Sequence, residues 1–271
     1  MKKIATIIAA TALLSLVAGA AFAAAPLFTE DFNYPLGTAL NGTGGWSAHS
    51  SAGTNAQKVN AAGLVYAGYP SSGIGNALGT LAASGEDNNH TFTGVTAGSV
   101  YAAFMVNVVT ATNTGDYFFH FFDGAIGSNI FIGRVFVKND ASGKYSFGLN
   151  DRSTAGTLVY TSPLYTYGST HLLVVKYNYN TSATNDESVQ LFIDPVVSCS
   201  EPSSNLSSSD ASFADATNID GVAIRQGGSS SGGTMQVDGI NVANNWIDAV
   251  CGGGVVPTHT STWGQVKSLY R

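Results

Sequence analysis

Charge is what this chain has least of. Asp, Glu, Lys and Arg make up 10% of its 271 residues, and 11 basic residues face 17 acidic ones, a formal charge of −6. A nucleic-acid partner would want a basic face, so this balance argues against one. Cysteine is almost absent: Cys199 and Cys251 are the only two, too far apart in sequence for a local zinc clip. No apolar run after residue 23 is long enough to span a membrane, which excludes a later membrane helix.

What is plentiful is glycine, with 32 residues, alongside Ser, Thr and Asn. Glycine supplies the positive φ that tight turns demand, so the pattern suits a β protein with many turns. Disorder is excluded, because 44% of the residues are apolar and 14 Phe with 12 Tyr can fill a core.

The amino terminus reads as an export signal. Lys2 and Lys3 form a basic start, Ile4–Val17 is apolar and uncharged, and Ala21-Phe22-Ala23 is a small-x-small cleavage site. Residues 1–23 are therefore expected to leave. The charge without Lys2 and Lys3 is −8, and the protein is expected to be secreted or at the cell surface. In an oxidising compartment two cysteines favour a Cys199–Cys251 disulfide, with two free thiols as the alternative.

Strand signals recur with turn punctuation between them. Leu27–Phe32 and Gly63–Tyr66 are short candidates, and Asn89–Phe92 and Val100–Val109 are stronger. Asp116–Phe122, DYFFHFF, is so densely aromatic that it must be buried on both faces. Phe131–Val137, Tyr145–Asn150, Leu158–Tyr160 and Gly221–Arg225 continue the series. Leu172–Asn178 and Ser188–Asp194 flank a polar turn and predict a long hairpin. Met235–Val242 reads as one more strand, in a stretch that runs on to Trp246, and Ser198–Ala216 as a polar loop crossing between sheets. No helix of useful length is expected before the tail. This number of short strands predicts an all-β, two-sheet antiparallel sandwich or jelly roll over residues 24–250. Residues 251–271 read as a Gly-rich linker and a short tail. In the tail, Thr262 and Gln265 fit a capping box, while Trp263, Val266 and Leu269 or Tyr270 fall on one helical face.

Glu30-Asp31-Phe32-Asn33-Tyr34, Gly45-Trp46, Tyr117-Phe118-Phe119-His120 and Gly133-Arg134-Val135-Phe136-Val137 occur in that order. They are followed by Val174-Val175-Lys176-Tyr177, Asn185-Asp186, Leu191-Phe192-Ile193-Asp194-Pro195, Ile224-Arg225-Gln226-Gly227 and Val237-Asp238-Gly239-Ile240. In order and spacing these pieces resemble secreted bacterial domains with the concanavalin A-like, laminin-G-like jelly roll. The resemblance implies that fold, and modules without assigned activity or with sugar-binding or adhesion roles. It fixes no ligand. It also implies that first and last strands lie together, with Glu30 or Asp31 beside Asp238, where related jelly rolls hold a structural calcium ion; the alternative is acids hydrogen-bonded to turn amides. The tail TSTWGQVKSLYR is similar to C-terminal tails of exported proteins from some uncultured bacterial lineages, which implies docking to an export or anchoring component. The alternative is a frayed end.

Jelly rolls that hydrolyse glycans place two acids on alternate residues of one strand, as in Glu-x-Asp-x-x-Glu. None of Glu30, Glu86, Glu187 and Glu201 shares a strand with a second acid at that spacing. No Gly-x-Ser-x-Gly elbow stands between a strand and a helix either. The chain is therefore expected not to be an enzyme but a module that binds polysaccharide, cell-surface glycan or matrix. A structural or adhesion component without a sugar site is one alternative, and a polysaccharide lyase or hydrolase with an unfamiliar acid/base set is another. Candidate ligand contacts are the aromatic platforms Trp46, Tyr165 and Tyr167, together with His120 beside Arg134. For His120 a satisfied core histidine is the competing reading.

Overall fold

The computed structural model describes residues 25–252, except 125, 127–130, 141, 153–157, 163 and 181. The export signal and the tail lie outside the described residues. In chain order the strands are β1 (Phe28–Glu30), β2 (Ser47–Ser50), β3 (Lys58–Ala62), β4 (Asn76–Thr80) and β5 (Asp87–Val95). Next come β6 (Ser99–Thr110), β7 (Asp116–Asp123), β8 (Phe131–Asn139), β9 (Tyr145–Asn150) and β10 (Val159–Tyr160). The last are β11 (Thr170–Asn178), β12 (Ser188–Ile193), β13 (Leu206–Ser208), β14 (Ile219–Ile224) and β15 (Thr234–Ala243), followed by a short helix, α1 (Trp246–Val250).

These strands form two antiparallel sheets, one of eight strands and one of seven, so the fold is the expected all-β sandwich. The first sheet runs β13-β12-β11-β6-β15-β4-β3, with β1 also on β15, and the second runs β10-β9-β8-β7-β14-β5-β2. Among the described residues no helix is long and apolar enough to cross a membrane.

Three of the four sheet faces are packed with apolar side chains. In β6 the even positions Val100, Ala102, Phe104, Val106 and Val108 face the second sheet, and Phe104 stacks on Phe119 of β7 with ring centroids 4.3 Å apart. The odd positions Tyr101, Ala103 and Met105 join a second cluster with Leu172, Val174 and Phe192. That cluster is roofed by Leu64, Tyr69, Trp246, Ala249 and Val250. Strands buried on both faces read as continuous apolar runs, as β6 does. Each fully buried Leu, Val or Phe side chain in such layers contributes about 1.5–3 kcal/mol. The second sheet's other face has no such roof among the described residues.

Several expectations are corrected. Gly63–Tyr66 is not a strand; β3 and β4 flank it and it helps to roof the second cluster. The segment 198–216 contains the edge strand β13, paired with β12. The final strand ends at Ala243, one residue past the expected Val242, but the stretch beyond it is not extended, because Asn245 caps α1: its side chain accepts from the Asp248 N–H. Trp246 is thus helical, its Nε1–H donating to the Ser198 carbonyl at 2.8 Å. Within β15, Gly239 sits at φ 59 where the register with β6 shifts, a bulge that an L side chain would strain.

Cys199 and Cys251 are unbonded. They are nonetheless neighbours: burial, then the hydrogen bond with Cys199, push the Cys251 thiol above its usual range. In the exported protein we expect them to cross-link. Reduction should then cost about 2–4 kcal/mol of unfolding free energy. Two titratable thiols in native secreted protein would refute the bond.

Candidate functional site on the outer face of the second sheet

The unroofed face is built from alternating residues of β2, β5, β14, β7, β8, β9 and β10. Across it, Ser47 pairs with Asn89, Asn89 with Ala223, and Ala223 with His120. A second row joins Tyr117 to Phe136, Phe136 to Gly148, and Gly148 to Tyr160. A strict period of two would put Tyr117 and His120 on opposite faces. Register shifts between Tyr117 and Phe119, and again between Phe119 and Phe121, turn both outward. Gly221 serves the same face: a Cβ there would lie 1.9 Å from the Phe122 ring.

Tyr117 is the centre of the group. The Arg225 guanidinium lies 4.3 Å and the Arg134 guanidinium 5.2 Å from its ring centroid, within cation–π range. Arg225 is neutralised by Asp116 at 2.8 Å. Arg134 is different. It is 6% exposed, it donates to the neutral amide oxygen of Asn150, and among the described residues its Nε has no partner. Among the described residues no carboxylate forms an ion pair with it. Burial, with the Arg225 charge adding, pulls its pKa down from the usual arginine value, but a guanidinium stays charged at neutral pH.

His120 is fully buried beside these groups, its ring centroid 5.7 Å from Tyr117, 4.5 Å from Phe131 and 6.4 Å from His49. Nδ1 lies 2.9 Å from the Phe121 carbonyl, which assigns it the hydrogen and leaves the lone pair on Nε2. Among the described residues that Nε2 has no partner. Burial above all holds the imidazole pKa down at about 3, so it is neutral at pH 7. Because the folded value lies below the ordinary 6.5, this group's stabilisation is present above pH 6.5 and is lost as pH falls through about 3. Between those values wild type should therefore lose stability relative to His120→Gln as the pH is lowered. Parallel melting curves across that window would contradict this.

Of the residues expected to meet a ligand, the structure brings His120 and Arg134 together around Tyr117. It separates the other three. Trp46 is 1% exposed and its Nε1–H donates to Glu30 at 2.9 Å, so it is a core residue and no platform. Tyr165 and Tyr167 pack on Tyr145 at 5.9 and 5.0 Å, at the edge of the core between the sheets. Tyr117, Arg225, Asn150 and His49 were not foreseen. The aromatic run around Tyr117 was visible, but its facing depended on the register shifts.

Glu30 and Asp238 do come close, through the pairing of β1 with β15, in which Glu30 lies opposite Ile240. Glu30 accepts from the Phe32 N–H and from Tyr34 and Trp46, and Asp238 accepts from the N–H groups of Leu64 and Gly239. Asp31 Oδ1 alone is buried without a partner. A calcium ion takes about 6–8 oxygen ligands, so this donor set does not fit one as it stands. Among the described residues no three His, Cys, Asp or Glu side chains are gathered for a metal. We expect a melting temperature indifferent to chelator. A fall that added Ca²⁺ restores would put an ion here. Asp238→Asn should destabilise the fold in either case, because one backbone N–H would then face an amide NH₂.

The hairpin-turn acid Glu187 lines a cavity of about 10 Å³ with Asp151, Arg152, Tyr177 and Asp215. Burial first, then the Asp215 hydrogen bond, push its carboxyl up to about 8. Arg152 stands among these acids, and that space holds about one water. Glu187 and Asp215 also line an adjoining open cleft of about 500 Å³, with Tyr179, Asn180 and Thr217.

No family model and no curated protein sequence matches this chain. Solved structures do. An endo-β-1,4-glucuronan lyase from the fungus Trichoderma reesei matches at 10% identity and a TM-score of 0.46, over 83% of this chain and 98% of that one. The alginate lyase Aly36B matches at 15% identity and 0.46, over 81% and 98%. Domain 4 of AbnA, an extracellular arabinanase from Geobacillus stearothermophilus solved with arabinotriose, matches at 12% and 0.44, over 85% and 98%. At these scores the likeness assigns no residue and no activity. It does correct the expectation that the chain is not an enzyme. Sandwiches similar to it include polysaccharide lyases.

Proposed function

We propose that this chain is a secreted, concanavalin A-like sandwich that acts enzymatically on a glycan, at the outer face of its second sheet. One observation carries the reading. Three sheet faces are packed with apolar side chains, and the fourth gathers a half-buried Tyr117 with the buried Arg134, Asn150 and neutral His120, whose Nε2 has no partner among the described residues. Sugars dock on aromatic faces with polar neighbours, and Tyr117, Phe131 and Tyr160 supply half-buried rings there. His120 and Tyr117 are the proton-handling groups. The imidazole is unprotonated, and burial raises the Tyr117 pKa, so the phenol keeps its proton at neutral pH.

Incubating the secreted protein with neutral and acidic polysaccharides and measuring new reducing ends tests this reading. Cleavage that His120→Gln and Tyr117→Phe both suppress, with melting temperatures retained, supports it. Binding without cleavage on every polymer would return the chain to a binding module. Cleavage untouched by either variant would move the site elsewhere.

A further inference from the structure

We infer that the sandwich carries a second ligand site, in which a water-sized, acid-walled cavity takes the –CH₂–NH₃⁺ end of an unbranched alkylammonium and the adjoining cleft takes the rest of that molecule. This site is independent of the glycan reading. Four carboxyl groups and one guanidinium line the cavity of about 10 Å³. Asp151 and Arg152 stand just past β9, Glu187 in the turn before β12, and Asp210 and Asp215 between β13 and β14. Asp151 is the group that points to a ligand. It is 6% exposed, the Asp210 N–H donates to its carboxyl, and among the described residues its Oδ1 has no partner. A buried carboxylate oxygen without a donor is costly. A water would supply a donor but no charge, whereas four acids here face one Arg152. A cation supplies both.

The geometry selects which cation. The walls are pinned: the Asp151 N–H donates to Ser208 Oγ at 3.2 Å, the Asp215 N–H to the Thr184 carbonyl at 3.0 Å, and the Ala216 N–H to the Tyr177 hydroxyl at 2.9 Å. An ammonium is about the size of a water and brings three donors. A calcium ion needs about 6–8 oxygens at close range, and among the described residues no three acids come near enough together to hold a metal. A guanidinium is a planar fork too wide for the space. A sugar amine stands on a ring carbon, and the ring cannot follow it in. Glu187, Ala214 and Asp215 line both the small cavity and the open cleft of about 500 Å³, so they form the passage between the two. Beyond them Ala183, Ala216 and Tyr179 wall the cleft with methyl groups and a ring, which suit a methylene stem. Phe213, 42% exposed, lines the small cavity and offers its ring to the cation.

Binding is linked to protons. Burial above all raises the Asp151 carboxyl to about 6, with Arg152 opposing, Asp210 adding and Arg134 opposing from β8. Burial and then the Asp215 hydrogen bond raise Glu187 to about 8, with Arg152 opposing. Tyr177, raised chiefly by burial, keeps its proton and stays out of this window. A cation favours the ionised carboxyls, so its affinity should rise as the pH increases through both values. An alkylamine of the lysine type keeps its charge up to about pH 10, so the ligand does not cut the rise short.

The test is calorimetric titration of the full secreted chain with cadaverine and with pentalysine. Nε-acetylated pentalysine, penta-arginine, a glucosamine oligosaccharide and CaCl₂ are the comparison ligands. The expected result is binding of cadaverine, pentalysine or both, and none of the acetylated peptide. Affinity should rise about tenfold or more between about pH 5 and pH 9, as the two carboxyls ionise. Asp151→Asn should weaken it about tenfold or more, by removing a charge-assisted acceptor. Should that buried variant fail to fold, Asp215→Asn at the half-buried passage reads the same loss. Cadaverine without pentalysine supports a free polyamine, and pentalysine without cadaverine supports a lysine side chain of a peptide. Penta-arginine or the glucosamine oligosaccharide binding as tightly as pentalysine would reduce the site to general attraction toward acids and overturn the inference. Calcium binding that Asp151→Asn abolishes would make this a metal site and overturn it as well. Amine binding untouched by either variant, or no binding of either amine, would overturn it outright.

Discussion

Tyr117→Phe should leave the sandwich folded and reduce turnover by about 10²–10⁴-fold, the range for losing one positioned proton donor. The phenol ring stays between Arg134 and Arg225, so cation–π packing and substrate docking persist. Only the proton for the leaving oxygen is lost. The defect should therefore fall on kcat with little change in KM. A substrate whose leaving group needs no proton should recover much of the rate. A Tyr117→Phe enzyme with a raised KM and an unchanged kcat would make Tyr117 a stacking platform and remove it from the chemistry.

The second large effect is on stability. Trp46→Ala should cost about 3–5 kcal/mol, read as a lowered denaturant midpoint. Trp46 is 1% exposed and packs against Phe28 at 5.9 Å, Phe32 at 6.1 Å and His90 at 5.5 Å. Truncation leaves a cavity among them. It also removes the indole N–H from Glu30, a carboxylate buried at the β1–β15 junction. Trp46→Phe should cost less, since most of the ring remains and Tyr34 still donates to the same oxygen. Glycan turnover by the folded Trp46→Phe protein should match wild type, because the indole lies in the core and away from the Tyr117 face. A Trp46→Phe protein that folds normally but loses glycan turnover would show that the indole reaches the ligand.

Much of the architecture was legible in the chain because burial writes itself into residue pattern. The polar turn between Leu172–Asn178 and Ser188–Asp194 marked the hairpin, which forms with Leu173 opposite Ile193. The dense apolar aromatics of Phe118–Phe122 marked a strand buried on both faces, as β7 is. His120 and Arg134 were also named as a pair from sequence, since a ring nitrogen inside an aromatic run and a lone cation in the next strand are unusual in a core.

Other features depended on contacts distant in sequence. Trp46 reads as a platform beside a Gly-rich loop, and only the approach of Glu30 to its N–H makes it a core residue. Tyr165 and Tyr167 alternate as a sugar-facing pair would, yet they pack on Tyr145. The outward facing of Tyr117 with His120 comes from register shifts against β8, and a bulge follows from the partner strand's pairing. The apolar periodicity of this chain by itself determined that it would fold as two antiparallel sheets. Which sheet face has no apolar roof among the described residues, and that Arg134 is buried there with no ion-pair partner among them, was decided by tertiary packing. Local pattern records how much of a residue is buried, and not which distant groups bury it.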